Sequence, residues 1–336
     1  MLEIDDLNRY DSKGMYKIYD QWARIAEESF NNQFEQTDFD EIDHFVFVGM
    51  GGSGAIGDIF SSILSKTDAH VSIVKGYLLP KTVSKNSLVI ATSVSGNTVE
   101  TLNVLDYAVK NNVNAIGFSS GGKLEDFCKK NNIHHRHIDQ IHSPRASFTA
   151  FLYSMLKILK PQIPIDTNDI TESIEQLKKT NKEISSSNLN EDNPSLTLAE
   201  WITELPLIYY PNGLQAAAIR FKSSLQENAK IHVIAEDVLE ACHNGIVAWE
   251  NQTFPKPILI QGKNDYVKTK ERWKIIKEYF EKNNIQYRNV FAEGNSILSK
   301  IIHLVYLLDY ASIYRGVLSK IDPSPVKSID FVKKRL

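Results

Sequence analysis

Two apolar runs, each opening into a turn of small residues and then a helical pattern, constrain this chain more than any other feature. The first is Asp43-His44-Phe45-Val46-Phe47-Val48-Gly49-Met50-Gly51-Gly52-Ser53-Gly54 and the second is Leu88-Val89-Ile90-Ala91-Thr92-Ser93-Val94-Ser95-Gly96-Asn97-Thr98. Each run reads as a buried strand, so two strand-to-helix turns are expected to face one crevice. Glycines let a ligand approach the backbone, amides at a helix start attract anions, and the Ser and Thr hydroxyls add donors. Such a pair suits a phosphate ester without needing a metal.

Gly49, Gly51 and Gly54 also satisfy G-x-G-x-x-G, which makes a dinucleotide fold the first rival. A nicotinamide-binding unit carries Asp or Glu at the end of the next strand, about twenty residues on, to hold the ribose. Here the next strand candidate, His70-Val71-Ser72-Ile73-Val74, ends in Lys75 and Gly76, and the acid at Asp68 precedes it. The second, Ser-rich turn has no role in that scheme either. A serine hydrolase fails as well, because Ser53 does not sit in G-x-S-x-G.

From residue 44 to about 140, strand candidates at 44–48, 70–74, 88–92, 113–117 and 134–138 alternate with helical stretches, the βα repetition of a parallel sheet. Residues 14–34 read as one amphipathic helix packed on that sheet, and 147–162 as another helix. The polar stretch 178–193 reads as a helix end plus an exposed connection that holds the linker. Further strand candidates at 205–210, 231–234, 258–260 and 286–290 predict a second α/β domain of similar plan. The expected division is 1–150 and 151–336, each a doubly wound parallel sheet with flanking helices.

Charge is balanced, with 38 Lys plus Arg against 41 Asp plus Glu, so neither nucleic acid nor a membrane surface is an expected partner. The N-terminal Met1-Leu2-Glu3-Ile4-Asp5-Asp6 lacks the regions of a signal peptide, and no apolar run reaches the roughly 20 residues of a membrane span. A cytoplasmic location is expected. Cys128 and Cys242 are far apart, show no C-x-x-C spacing, and read as reduced thiols. His134, His135 and His137, with His142 nearby, invite a metal reading, but without Asp or Glu at a matching interval they read as a polar strand edge.

Together, G-M-G-G-S-G at 49–54 and S-V-S-G-N-T at 93–98 resemble the sugar isomerase (SIS) domain, a doubly wound sheet that binds phosphosugars. Further along, Leu225-Gln226-Glu227-Asn228-Ala229-Lys230, Ala241-Cys242-His243-Asn244 and Ser328-Ile329-Asp330-Phe331-Val332-Lys333-Lys334-Arg335-Leu336 are similar to motifs of the bifunctional phosphoglucose/phosphomannose isomerases. The resemblance runs from about residue 40 to the C-terminus. It implies an aldose–ketose isomerase acting on glucose, mannose and fructose 6-phosphates through an enediolate, with no metal and no cofactor. Alternatives from the residues are a non-catalytic phosphosugar-binding regulator and an isomerase of another sugar phosphate.

Moving a proton between adjacent carbons needs a base over both, a donor and acceptor to open the ring, and positive charge for the enediolate. The resemblance assigns the base to Glu227, ring opening to His243 and Lys333, and enediolate stabilisation to Arg145 of Ser143-Pro144-Arg145. It places His243 across the interface of a homodimer. Phosphate contacts fall to Gly52, Ser53, Ser93, Ser95 and Thr98. The chain departs from the family near the last helix: Val326 stands where one pattern has Thr, and Ser324 supplies the hydroxyl in an alternative alignment. Activity on the mannose epimer is the part this departure touches.

Overall fold

The computed structural model describes residues 2–35, 37, 39–251 and 254–335, so the terminal Met1 and Leu336 of the motifs above lie outside the described residues. Three helices come first: α1 (Ile4–Tyr10), α2 (Met15–Tyr19) and α3 (Trp22–Asn31). An alternating stretch follows: β1 (His44–Val48), α4 (Gly51–Leu64), β2 (His70–Val74), β3 (Ser87–Thr92), α5 (Val99–Lys110), β4 (Asn114–Ser119), α6 (Gly122–Lys130) and β5 (His134–His137). Helices α7 (Phe148–Ile158), α8 (Thr167–Ile184) and α9 (Pro194–Trp201) lead to β6 (Pro206–Tyr210), α10 (Gln215–Ser224), β7 (Ile234–Asp237) and α11 (Val238–Ala241). The chain closes with β8 (Lys256–Gly262), α12 (Val267–Lys282), β9 (Arg288–Ala292), α13 (Ile297–Leu318) and α14 (Lys327–Lys333).

These elements form two compact units, Gln21–Ile174 with Lys327–Leu336 and Met1–Asp20 with Glu175–Val326. In the first, five parallel strands are ordered β2-β1-β3-β4-β5. Strands β1 and β3 are buried along their whole length, which is why both read as continuous apolar runs rather than alternating ones. They pair with His44 opposite Ser87 and Val48 opposite Ala91, so their C-terminal ends stand side by side. Chain order reverses between these two strands, and in an open α/β sheet ligands bind outside the strand ends at that reversal. Val46, Val48, Val89, Ala91, Val104, Leu105 and Leu124 pack the core on one face.

The second unit has four parallel strands ordered β7-β6-β8-β9. Leu207, Tyr209, Leu259, Trp273, Ile276 and Phe280 fill one face. Helix α13 is buried on nearly every side, and an 18-residue window of it is long and apolar enough to cross a bilayer, although 89% of that window lies inside the protein. No such run stands out in sequence, because Ser299, Lys300, His303, Asp309 and Ser312 interrupt it. Most of these polar residues are interior and paired, the signature of a core helix.

Two expectations change and a third is refined. The helix expected at 14–34 is two helices, because the residues on either side of Asp20 serve different cores. Tyr19 packs edge-on against Tyr310, whereas the Trp22 ring lies tilted against Phe148 and donates its indole N–H to the Ala146 carbonyl at 3.0 Å. Helix α3 accordingly packs mainly on α7 rather than on the sheet. The polar stretch 178–193 is a helix end as expected, and the connection after it is exposed at Ser187, Asn190, Glu191 and Asp192 but anchored by buried Ser185 and Asn193. That connection is a closed turn, where Asn193 accepts the N–H groups of Ser195 and Leu196 at 2.9 Å and donates to the Asn188 carbonyl at 2.7 Å. Strand β7 begins at Ile234 rather than Ile231, after a left-handed residue at Lys230.

His303 on α13 is buried and accepts the Glu293 N–H at 3.2 Å through Nδ1. Burial pushes its pKa down to about 4, against a raising influence of Glu293 and lowering ones of Lys179 and Lys263. The unfolded chain binds this proton from about pH 6.5, so the stabilisation is whole above that pH and is lost as pH falls towards the folded value. The difference is worth about 3 kcal/mol at most. Urea midpoints measured from pH 7 to 4.5 should therefore fall less steeply in His303→Gln than in wild type. Parallel slopes in the two proteins would show that His303 does not titrate in this way.

Candidate active site

After β1 the chain turns through Gly49 and Met50 into α4, with Met50 extended at the N-cap position and Gly51 at φ 54°. In the first turn of this 14-residue helix the Ser53 N–H donates to the Met50 carbonyl at 3.1 Å, while the amides of Gly51 and Gly52 have no helical carbonyl ahead of them and present partial positive charge at the end of β1. After β3, the segment Ser93 to Thr98 forms a compact loop in which Ser93 Oγ and Thr98 Oγ1 are 2.8 Å apart. The two turns meet where Ser53 Oγ accepts the Val94 N–H at 3.4 Å. Gly96 has φ 67°, and a Cβ there would lie 1.7 Å from the Gly121 carbonyl oxygen, so only glycine closes this loop.

The Arg145 turn stands against the first of these loops. A Cβ built on Gly52 would lie 3.6 Å from the Pro144 carbonyl oxygen and 3.8 Å from Arg145 Cα. Arg145, Ser53 and Ser93 are all buried. The structure thus brings Gly52, Ser53, Ser93, Thr98 and Arg145 together at the ends of β1 and β3, where helix-start amides, hydroxyls and a permanent cation suit an anion. Ser95 lies on the same loop with a supporting part, its Oγ accepting the Asn97 N–H at 3.4 Å.

The glycine pattern serves packing rather than a pyrophosphate. A Cβ on Gly54 would lie 2.8 Å from the Gly49 carbonyl oxygen, which fixes the close approach of α4 to its own turn. Lys75, which follows β2 where a ribose-binding acid would stand, pairs with Asp58 at 2.5 Å. Lys333 belongs to the same compact unit. It lies on α14, which buries no residue and leaves Phe331 and Val332 more than half exposed. On the edge strand β5, His135 shares a 2.8 Å hydrogen bond with Ser119, and His137 one of 3.1 Å with Asp139.

Glu227, His243 and Ser324 belong to the other unit. Helix α10 runs directly into a π-helical turn, Leu225–Ala229, and Glu227 sits half-buried on it while Leu225, Asn228 and Ala229 point inward. Single π turns inside helices recur at functional sites because they push one residue out of the regular ladder. Beneath the turn, Arg220 donates to Asp309 Oδ2 at 3.0 and 2.6 Å, Ser224 donates to Oδ1 at 2.6 Å, and the Tyr19 hydroxyl to Oδ2 at 3.1 Å. Burial alone would lower the Arg220 pKa, but Asp309, Tyr19 and Glu227 outweigh it and the net shift is upward. Glu227 is therefore electrostatically joined to this buried pair.

His243 is exposed in the turn after α11, with its N–H donated to the Glu240 carbonyl at 2.9 Å. Ser324 is half-buried between Pro323 and Pro325, its N–H donated to Asp322 Oδ1 at 2.9 Å. Sequence reasoning passed over Arg220, Asp309 and Lys230 as contributors to this region. A lone acid inside an apolar helix was the available signal for Asp309.

Comparison with known proteins places the chain. Residues 39–158 match the SIS domain family, and residues 191–336 match the family described as bacterial phospho-glucose isomerase C-terminal SIS domain. A protein of Caldicellulosiruptor bescii named bifunctional phosphoglucose/phosphomannose isomerase is 32% identical over 312 residues, covering 88% of this chain and 90% of the relative. One of the same name from Aquifex aeolicus is 29% identical over 321 residues, covering 92% and 96%. The crystal structure of a hypothetical protein from Thermus thermophilus shares the fold with a TM-score of 0.74 at 13% identity, covering 98% of this chain and 91% of that one. With two parallel-sheet units and this degree of similarity, the chain belongs to the bifunctional phosphoglucose/phosphomannose isomerase family of sugar-phosphate isomerases.

Proposed function

We propose that this protein interconverts glucose 6-phosphate and mannose 6-phosphate with fructose 6-phosphate through a cis-enediolate, without a metal. The observation that carries this reading is the convergence of Ser53, Ser93, Thr98, Gly52 and Arg145 on the ends of β1 and β3. In the proposed path, Gly52, Ser53, Ser93, Ser95 and Thr98 hold the phosphate. Lys333 and His243 of the partner subunit open the ring. Glu227 then takes the C2 proton, the C2–H electrons form the C1–C2 double bond, and the C1 carbonyl oxygen becomes an enediolate held by Arg145. Transfer of the O2 proton to O1, with return of the proton from Glu227 to C1, gives the ketose.

The exposure of His243 is compatible with its use by a second copy, and a homodimer is part of the proposal. So are the sugar-isomerase domains at 1–150 and 151–336, and a cytoplasmic location, which the free thiols Cys128 and Cys242 suit. Ser324 is proposed to supply the hydroxyl near C2.

Loss of one hydrogen bond to a charged group costs about 1.5–3 kcal/mol. Ser93→Ala should accordingly raise KM for glucose 6-phosphate by at least about tenfold with kcat little changed. An unchanged KM would remove Ser93 from the phosphate cradle. The proton path is tested by incubating enzyme and fructose 6-phosphate in D2O. Deuterium at C2 of the aldose products is expected, and its absence at every stage of turnover would contradict an enediolate that exchanges with solvent.

A further inference from the structure

One lysine ties the Glu227 turn to the Ser324 turn. Lys230 ends the π-helical turn in a left-handed conformation, φ 58°, which few non-glycine residues adopt. The chain reverses there, and the ammonium reaches back to donate to the Glu227 carbonyl. The same Nζ donates to the Pro325 carbonyl at 2.8 Å and the Pro323 carbonyl at 3.3 Å, on either side of Ser324. An ammonium has three donors and no acceptor, and three carbonyls surround this one.

Other contacts fix the remaining faces of both turns. Asn228 Nδ2 donates to Ser312 Oγ at 2.8 Å, and a Cβ on Gly316 would lie 2.7 Å from the Asn228 carbonyl oxygen, so α13 holds the inner side of the π turn. Asp322 accepts the Ser324 N–H at 2.9 Å and the Ser12 hydroxyl at 2.5 Å, which holds the Ser324 turn from behind. Lys230 joins the two held segments to each other.

We propose that Lys230 is a positioning residue that sets the spacing between the Glu227 carboxylate and Ser324, and so determines how evenly the enzyme accepts the two C2 epimers. This rests on the reading of Glu227 as base. Glucose and mannose 6-phosphates differ only at C2, the carbon from which the proton leaves. A base that serves both must hold one compromise position, and a small displacement of it acts on the two epimers unequally.

The test is kcat and KM on both sugar phosphates for Lys230→Met and Lys230→Arg, with thermal melting of each. Lys230→Met is expected to lower kcat about tenfold with KM within about twofold, and to shift the ratio of kcat/KM between the two sugars at least threefold. Lys230→Arg, which keeps the charge but spreads its N–H groups over a plane, should lie between Met and wild type. Equal losses on both sugars, with the ratio unchanged, would reduce Lys230 to a structural residue and overturn the proposal, as would wild-type kinetics. If the Met variant does not fold, a wild-type ratio in the Arg variant overturns it equally. Undiminished turnover in Glu227→Gln would instead sink the underlying reading, whatever Lys230 does.

Discussion

Glu227→Gln is expected to lower kcat for both sugar phosphates by about 10³-fold, because a positioned general base contributes of that order and an amide cannot accept the C2 proton. The substitution keeps size and shape at a half-buried position on the π-helical turn. Sugar-phosphate binding should survive, since the proposed phosphate cradle draws on β1, β3 and their turns rather than on this element. Binding measured by titration calorimetry and kcat measured in parallel separate the two effects. Intact turnover with intact binding would exclude Glu227 as the base, and loss of both together would point to a collapsed turn.

Asp309→Ala is the substitution with the largest expected effect on stability. Asp309 is fully buried and takes four hydrogen bonds, from Arg220, Ser224 and Tyr19. Removing it leaves the buried Arg220 guanidinium without its carboxylate, a change that costs about 3–5 kcal/mol. Native stability totals only about 5–15 kcal/mol, so the variant should melt far below wild type or fail to accumulate folded. Adding Arg220→Met should recover much of the loss, because replacing a whole buried pair by apolar groups is often close to neutral. A single-variant loss below about 1 kcal/mol in urea unfolding would contradict this account of the pair.

How much of this was legible in sequence depended on the range of the interaction involved. Strands β1 and β2 begin and end where the expected runs do, and β3 starts one residue earlier. Strands β1 and β3 are buried throughout and run into Gly and Ser turns, and the edge strand β2, buried only at Val74, is bounded by Lys75 and Gly76, so each leaves a short-range signal. That Ser53, Ser93 and Thr98 lie together was legible for the same reason, since each stands within a few residues of a strand end. Amphipathic spacing could not reveal the break at Asp20, because the stripe continues while the core it faces changes. The Arg220–Asp309 pair spans 89 residues, and the Lys230 contacts to Pro323 and Pro325 span 93 and 95, distances over which one sequence carries no pairing signal. Nor did local pattern give Glu227 its role. The role proposed for it came from resemblance, and what the structure adds is that Glu227 falls within a π-helical turn.

The most direct measurement is a coupled assay of the EDTA-treated, full-length protein, following fructose 6-phosphate formed from glucose 6-phosphate and, separately, from mannose 6-phosphate. Turnover of both substrates, abolished in Glu227→Gln, is the predicted result. Turnover of neither would contradict the proposed activity, and turnover of glucose 6-phosphate alone would contradict its bifunctional form and direct attention to Ser324 and Val326.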